Sequence, residues 1–102
     1  MNLSDRIKNI EEMERIFDKM HSIIQTLDKA CQEWDETISD FKRLMDYYSS
    51  PEWHEDVKDS NENVFPQDLK CGVLSEDGIY NLYADHRNTA LQVAKTAIKA
   101  LE

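Results

Sequence analysis

Residues 4–48 contain neither glycine nor proline, and one apolar pattern runs through most of the stretch. Met13, Met20, Leu27, Trp34, Phe41 and Tyr48 recur every seven residues. Ile16, Ile23, Ala30 and Leu44 form a second row, in which Thr37 is the one polar member; Phe17, Ile24, Cys31, Ile38 and Met45 form a third. Residues three and four apart are neighbours on a helix, so the three rows share one face. The pattern predicts a single α-helix over 4–48, about 67 Å long at the usual rise. A hairpin turn in the polar stretch 28–37 would shift the apolar register, yet the register continues to Tyr48. Three rows are wider than the two of a two-stranded coiled-coil seam, so the helix is expected to pack against at least two others.

Local signals set the remaining elements. Ser4 is the expected N-cap, with Asp5 in the first turn. The wide face starts at Ile10; Leu3, Arg6 and Asn9 precede it, so the first two turns are expected to be exposed and frayed. Glu11 with Arg15 and Asp40 with Arg43 stand at ion-pair spacing. Ser49-Ser50-Pro51 stops the helix, and Ser50 with Pro51 can start a short one reaching about residue 59. Residues 59–63 read as a polar loop. Pro66 can open a single turn through Cys71, with Gly72 ending it in the left-handed conformation. Trp53, Val64, Phe65, Leu69, Val73 and Leu74 predict an ordered connector over 49–75. Ser75 then caps a last helix over 76–101, about 38 Å long. Its inward stripe is Ile79, Leu82, Tyr83, His86, Ala90, Val93, Ala97 and Leu101. The expected fold is a single all-α domain, residues 1–102: a long N-terminal helix, an acidic connector with short helical turns, and an antiparallel C-terminal helix in a coiled-coil-like hairpin or bundle.

Composition narrows the function classes. The chain has 40% hydrophobic and 32% charged residues, which suits a soluble helical protein. Its net charge is −9, concentrated in residues 49–78, where eight acids face two bases. Direct nucleic-acid binding, which needs clustered Lys and Arg, is not expected. The start Met1-Asn2-Leu3-Ser4-Asp5 has no basic region leading into an apolar run, so no secretory signal is read there. No stretch approaches the ~20 apolar residues of a membrane span. Cys31 and Cys71 are too few for a disulfide framework. A cytoplasmic protein is expected.

Several of these residues form a pattern. Tyr47-Tyr48, Glu52-Trp53 and the run Leu69-Lys70-Cys71-Gly72-Val73-Leu74-Ser75-Glu76-Asp77-Gly78-Ile79-Tyr80 resemble a family of short bacterial proteins known only as a domain of unknown function. Arg6-Ile7 and Glu11-Glu12-Met13 match the start of its long N-terminal helix. Pro51 and Cys71 depart from the pattern, which has glycine and a basic residue there. The resemblance spans nearly the whole chain and implies a small helical fold, with no reaction and no ligand attached.

Candidate chemistry is sparse. Ser75, Glu76 and Asp77 explain themselves as a cap with acids in the first turn. As a site, they would join Tyr47, Tyr48, Trp53 and Tyr80 in a groove edge that binds a partner, since aromatic residues with polar tips favour recognition surfaces. Glu52, Glu55, Asp56, Asp59 and Glu62, with His54, match no Ca²⁺ loop and read as a solvated acidic face. Cys31 lies on an apolar row, and no signature of a catalytic cysteine surrounds Cys71. There is no phosphate loop, zinc motif or dinucleotide fingerprint. The expectation is a non-enzyme with no catalytic residue, metal or cofactor: a small interaction or scaffold module with an unknown protein partner. The alternative is an acidic inhibitor that imitates nucleic acid or fills a basic cleft. The C-terminal helix is shorter than the first and is expected to leave Ile10, Met13, Ile16, Phe17 and Met20 uncovered. A homodimer through that face is therefore expected.

Overall fold

The computed structural model describes residues 2–102; Met1, the first residue of the segment considered above as a signal, lies outside them. The protein is all-α, and no strand occurs among the described residues. In chain order it has α1 (Leu3–Tyr48), α2 (Pro51–Asn61), a 3₁₀ turn (Gly72–Leu74) and α3 (Glu76–Leu101). The chain divides into two compact units, Met1–Lys42 and Arg43–Glu102.

In the first unit α1 is unbroken. Thr37, the polar member of its apolar row, donates its hydroxyl to the carbonyl of Glu33 at 2.6 Å, so the helix itself satisfies it. The helix starts earlier than the sequence suggested. Asn2, not Ser4, is its cap: the Asn2 Oδ1 accepts the Asp5 N–H at 2.8 Å and its carbonyl accepts the Arg6 N–H at 3.0 Å. Asparagine caps as well as serine, and the earlier start adds Leu3 to the row of Ile10 and Phe17. Arg15 pairs with Glu12 rather than Glu11. It donates Nη2–H to Oε1 at 2.7 Å and Nε–H to Oε2 at 3.1 Å. The guanidinium holds the Glu12 carboxyl below its ordinary range, and the carboxylate raises Arg15 in turn. The three-residue spacing lets both nitrogens of the planar fork meet one carboxylate. No residue of α1 is buried. Residues 2–30 are exposed throughout, and Cys31, Trp34, Ile38 and Phe41 are half-buried.

The second unit opens with the end of α1. Ser49 and Ser50 donate their N–H groups to the carbonyls of Met45 and Tyr47 at 3.1 and 3.0 Å. Ser50 then caps α2: its Oγ accepts the Trp53 N–H at 3.3 Å and donates to the Tyr47 carbonyl at 2.6 Å. Pro51 follows in the first turn, where its missing N–H costs nothing. The helix runs to Asn61, beyond the expected residue 59. It closes when Asn63 turns left-handed (φ 61°) and donates to the Ser60 carbonyl at 3.2 Å, while Val64 donates to Asp59 at 3.0 Å. These two bonds make a Schellman motif with asparagine in the place more often held by glycine.

The left-handed residue is therefore Asn63 and not Gly72; no glycine among the described residues has positive φ. The segment after Pro66 makes only one turn, with Leu69 donating to the Pro66 carbonyl at 3.1 Å. Gly72 opens the 3₁₀ turn instead of ending a helix. Trp53 and Ile79 are the buried hydrophobic residues of the unit, at 6% and 3% exposure. Phe65 and Leu74 are half-buried, whereas Val64, Leu69 and Val73 remain exposed. On α3, burial follows Ile79, His86, Ala90 and Val93. Leu82, Tyr83, Ala97 and Leu101, expected in the same stripe, are exposed. Leu82 and Tyr83 project to either side of the Ile79–His86–Ala90 row, which is why the buried stripe is narrower than predicted.

The left-handed cap yields a test. Asn63→Gly should leave the urea midpoint unchanged or slightly raised. Asn63→Val, β-branched at positive φ, should lose roughly 1–2 kcal/mol. Equal stability of the two variants would show that the cap does not hold the end of α2.

Candidate functional site

Trp53 sits on the third residue of α2, the position whose N–H the Ser50 cap receives. This turns its indole toward the 3₁₀ turn, where Nε1–H donates to the Val73 carbonyl at 2.9 Å. A buried indole N–H without a partner would cost about 1–3 kcal/mol, so the contact fixes the turn beneath α2. Tyr48 meets the indole edge-on, with ring centroids 4.9 Å apart and planes at 81°. His54 meets it at 5.1 Å and 76°. Trp53 is thus an anchor beneath the surface rather than part of an exposed edge.

Tyr47 has a different partner. Its hydroxyl donates to Asp56 Oδ2 at 2.6 Å. That bond, with partial burial and the nearby charges of Asp56 and Glu52, pushes the Tyr47 phenol up to about 12. Losing its proton there would place an oxyanion against a carboxylate.

Ser75 caps α3. Its Oγ accepts the Gly78 N–H at 3.1 Å and its carbonyl accepts the Ile79 N–H at 3.2 Å. Glu76 and Asp77 occupy the first turn, where they favour the helix dipole. Gly78 sits in a close space: a Cβ there would lie 3.3 Å from the Gly72 carbonyl oxygen, closer than ordinary contact. Gly72 itself has open surroundings. The Gly-Val-Leu-Ser-Glu-Asp-Gly run is thus a compact turn-and-cap unit, with Ser75 N–H donating back to the Gly72 carbonyl at 3.2 Å.

Two grooves flank Tyr48. The first, about 490 Å³, is lined by Tyr48, Ser49, Trp53, His54, Val57, Leu74 and Glu76. The second, about 320 Å³, is lined by Met45, Tyr48, Ser49, Tyr80 and Tyr83. Of the residues singled out from sequence, Tyr48, Trp53 and Glu76 meet in the first groove, and Tyr48 and Tyr80 in the second. Tyr47 is engaged by Asp56, Ser75 by its own helix, and Asp77 lines neither groove. Met45, Val57, Leu74 and Tyr83 line the grooves without having been singled out. Tyr83 carried a usable signal, since it follows Tyr80 by three residues on one helix face.

Among the described residues no three His, Cys, Asp or Glu side chains group to hold a metal ion. Both cysteines are free and half-buried, and Cys71 donates its Sγ–H to the Leu69 carbonyl at 3.4 Å. No helix of the described residues is long and apolar enough to cross a membrane.

Two measurements check this geometry. Ser75→Ala should lower stability by about 1 kcal/mol, whereas Ser75→Asp, which caps equally well, should be nearly neutral. Tyr47 gives a pH signature. Its folded value of about 12 lies above the ordinary tyrosine value of 10.0, so the unfolded chain releases the proton first as pH rises. The Tyr47 contribution to stability is therefore complete below pH 10 and is lost as pH climbs toward 12. In an absorbance titration one of the four tyrosines should ionise late, and Tyr47→Phe should remove that late component. Four tyrosines titrating together would contradict the Asp56 bond.

The family model described as a domain of unknown function, DUF4298, matches residues 10–96. No curated protein and no solved structure matches the chain. The matched span takes in most of α1, all of α2 and the 3₁₀ turn, and most of α3, so both grooves fall inside it. With nearly its whole length inside that match, the chain belongs to the DUF4298 family, a domain of unknown function.

Proposed function

We propose that this chain is a small, non-catalytic protein-interaction module of the cytoplasm, and that it pairs with a second copy of itself through the N-terminal part of α1. One observation carries the reading. Leu3, Ile7, Ile10, Met13, Ile16, Phe17, Met20, Ile23, Ile24 and Leu27 are each 44–69% exposed. At about 100 Å² per side chain they present on the order of 1,000 Å² of apolar surface, whereas a soluble monomer rarely exposes more than a few hundred Å² in one patch. A stable interface buries about 800 Å² per partner, so one further copy supplies cover of the right size.

The face extends past the five residues at its centre, Ile10, Met13, Ile16, Phe17 and Met20, to Leu27 on one side and Leu3 on the other. Its relief suits helix pairing: Asn9, Ile10, Met13, Glu14 and Phe17 surround a notch of about 260 Å³, a receptor for a side chain of a facing helix. One flank carries both signs of charge, Glu12 and Lys19, and the other carries the acids Glu14 and Asp28. A two-fold pairing lays this face on itself and covers both copies at once.

A second reading, as an acidic inhibitor of a basic cleft, draws on α2, where Glu52, Glu55 and Asp59 share one face. Salt separates the two. Charge mimicry weakens steeply as salt rises, while apolar pairing does not.

Light scattering behind size exclusion should return twice the 12.0 kDa chain mass at micromolar concentration and in high salt. The double variant Met13→Glu, Phe17→Glu should return the single mass with its helix content in the second unit retained. A wild-type monomer under the same conditions would remove self-pairing from the proposal.

A further inference from the structure

The two grooves beside Tyr48 have a chemistry that helix pairing does not use. Tyr48 and Ser49 belong to both linings, so Tyr48 is a ridge one side chain wide between them. The rings around the second groove are unlike Tyr47. Its hydroxyl is taken up by Asp56, whereas no hydrogen bond among the described residues engages the hydroxyl of Tyr48, Tyr80 or Tyr83. Tyr80 is 62% exposed and Tyr83 48%. These are large ring faces open to solvent at the edge of an apolar notch.

Acidic residues dominate on the Tyr48 and Tyr80 side of the grooves, and the base nearest them along α3, Arg87, lies beyond Tyr83. Glu76 lines the first groove and stands one helical turn before Tyr80, with Asp77 beside it. Eight acids against two bases in residues 49–78 extend the negative field. The amino end of α3 opposes it with only about half a positive charge, which two first-turn carboxylates outweigh. Electron-rich ring faces attract a cation, and a carboxylate accepts the paired N–H donors of a guanidinium.

Spacing adds the form of the ligand. Side chains on one face of an extended chain advance about 6.6 Å per pair of residues, so two such side chains can enter neighbouring grooves that share one lining residue. A second copy of this chain, at net −9, would bring carboxylates to carboxylates.

We propose that the paired grooves are a docking site for an extended, arginine-bearing segment of another protein. The arginine stacks on Tyr48 and Tyr80 and reaches the Glu76 carboxylate, and an apolar side chain two residues away fills the groove across the Tyr48 ridge. This rests on the reading of the chain as an interaction module and is independent of its self-pairing.

The test is an amide NMR titration of the full chain with a short synthetic peptide carrying leucine and arginine two residues apart. A twin peptide has citrulline, equal in shape but uncharged, in place of arginine. Saturable shifts at Ser49, Glu76 and Tyr80 are expected with the arginine peptide, and the citrulline twin should bind about tenfold more weakly. Tyr80→Ala, an exposed site whose loss leaves the core intact, should weaken binding about tenfold. Glu76→Gln should weaken it less and flatten its salt dependence. The proposal is overturned by equal binding of the two peptides, by shifts gathered on Glu52, Glu55 and Asp59 instead, by an unchanged Tyr80→Ala affinity, or by no saturable shift at the grooves. Scattering keeps the readings apart. In the Met13→Glu, Phe17→Glu variant the groove shifts should persist, and silent grooves with an intact double mass would remove this site alone.

Discussion

The indole N–H of Trp53 and the carbonyl of Val73, twenty residues apart, make the contact on which the second unit depends. With Trp53 and Ile79 as its buried hydrophobic residues, the unit cannot rely on the bulk of a core. It relies on a directional bond placed by a local one. Ser50 caps α2, and the cap fixes the residue that carries the indole. The indole fixes the 3₁₀ turn, and the turn presents the Gly72 carbonyl to Ser75 and crowds Gly78. Ser75 then sets the first residue of α3. Each step is worth about 1 kcal/mol alone. Their sequence gives a small unit a defined geometry.

The same region carries most of the excess negative charge, and the structure shows how one carboxylate is accommodated. Asp56 receives the Tyr47 hydroxyl, a neutral donor, so the pair holds α2 to the end of α1 without adding a cation. Asp59, by contrast, lends its backbone carbonyl to the closing bond of the Schellman motif while its carboxylate adds to the surface field.

The features legible in the sequence were those whose cause is local or periodic. The seven-residue rows announced α1 because every member repeats the same argument, and Ser50 and Ser75 announced caps because Pro51 behind one and Glu76-Asp77 behind the other mark a first helical turn. What stayed hidden involved a choice between equivalent residues or a contact across a break in periodicity. Asn2 and Ser4 cap equally well, and nothing in the first turn ranks them. Gly72 was the natural residue for a left-handed turn, but Asn63 tolerates that backbone and sits where α2 ends. Arg15 had an acid at both three and four residues' distance, and only the fork geometry selects Glu12. Tyr47 and Asp56 lie nine residues apart across the Ser49-Ser50 corner, where no helical spacing relates them. For the candidate site, Tyr48, Trp53, Tyr80 and Glu76 could be named from sequence. Their division between two grooves could not, because it follows from the way Trp53 goes under the surface and leaves Tyr48 standing as the ridge.

Residues 3–27 of α1 contain no buried side chain, and this changes what their order depends on. A helix in water is sustained by propensity and by pairs such as Glu12 with Arg15, each worth a few tenths of a kcal/mol, against a costly nucleus. When the remaining stabilisation comes from a second molecule, folding of this stretch becomes a second-order process. Under the proposed self-pairing its helicity becomes a property of the solution as well as of the chain: dilution would melt it, and the melting midpoint would climb with protein concentration. In a cell, the abundance of the protein would set how much of its longest helix exists at all.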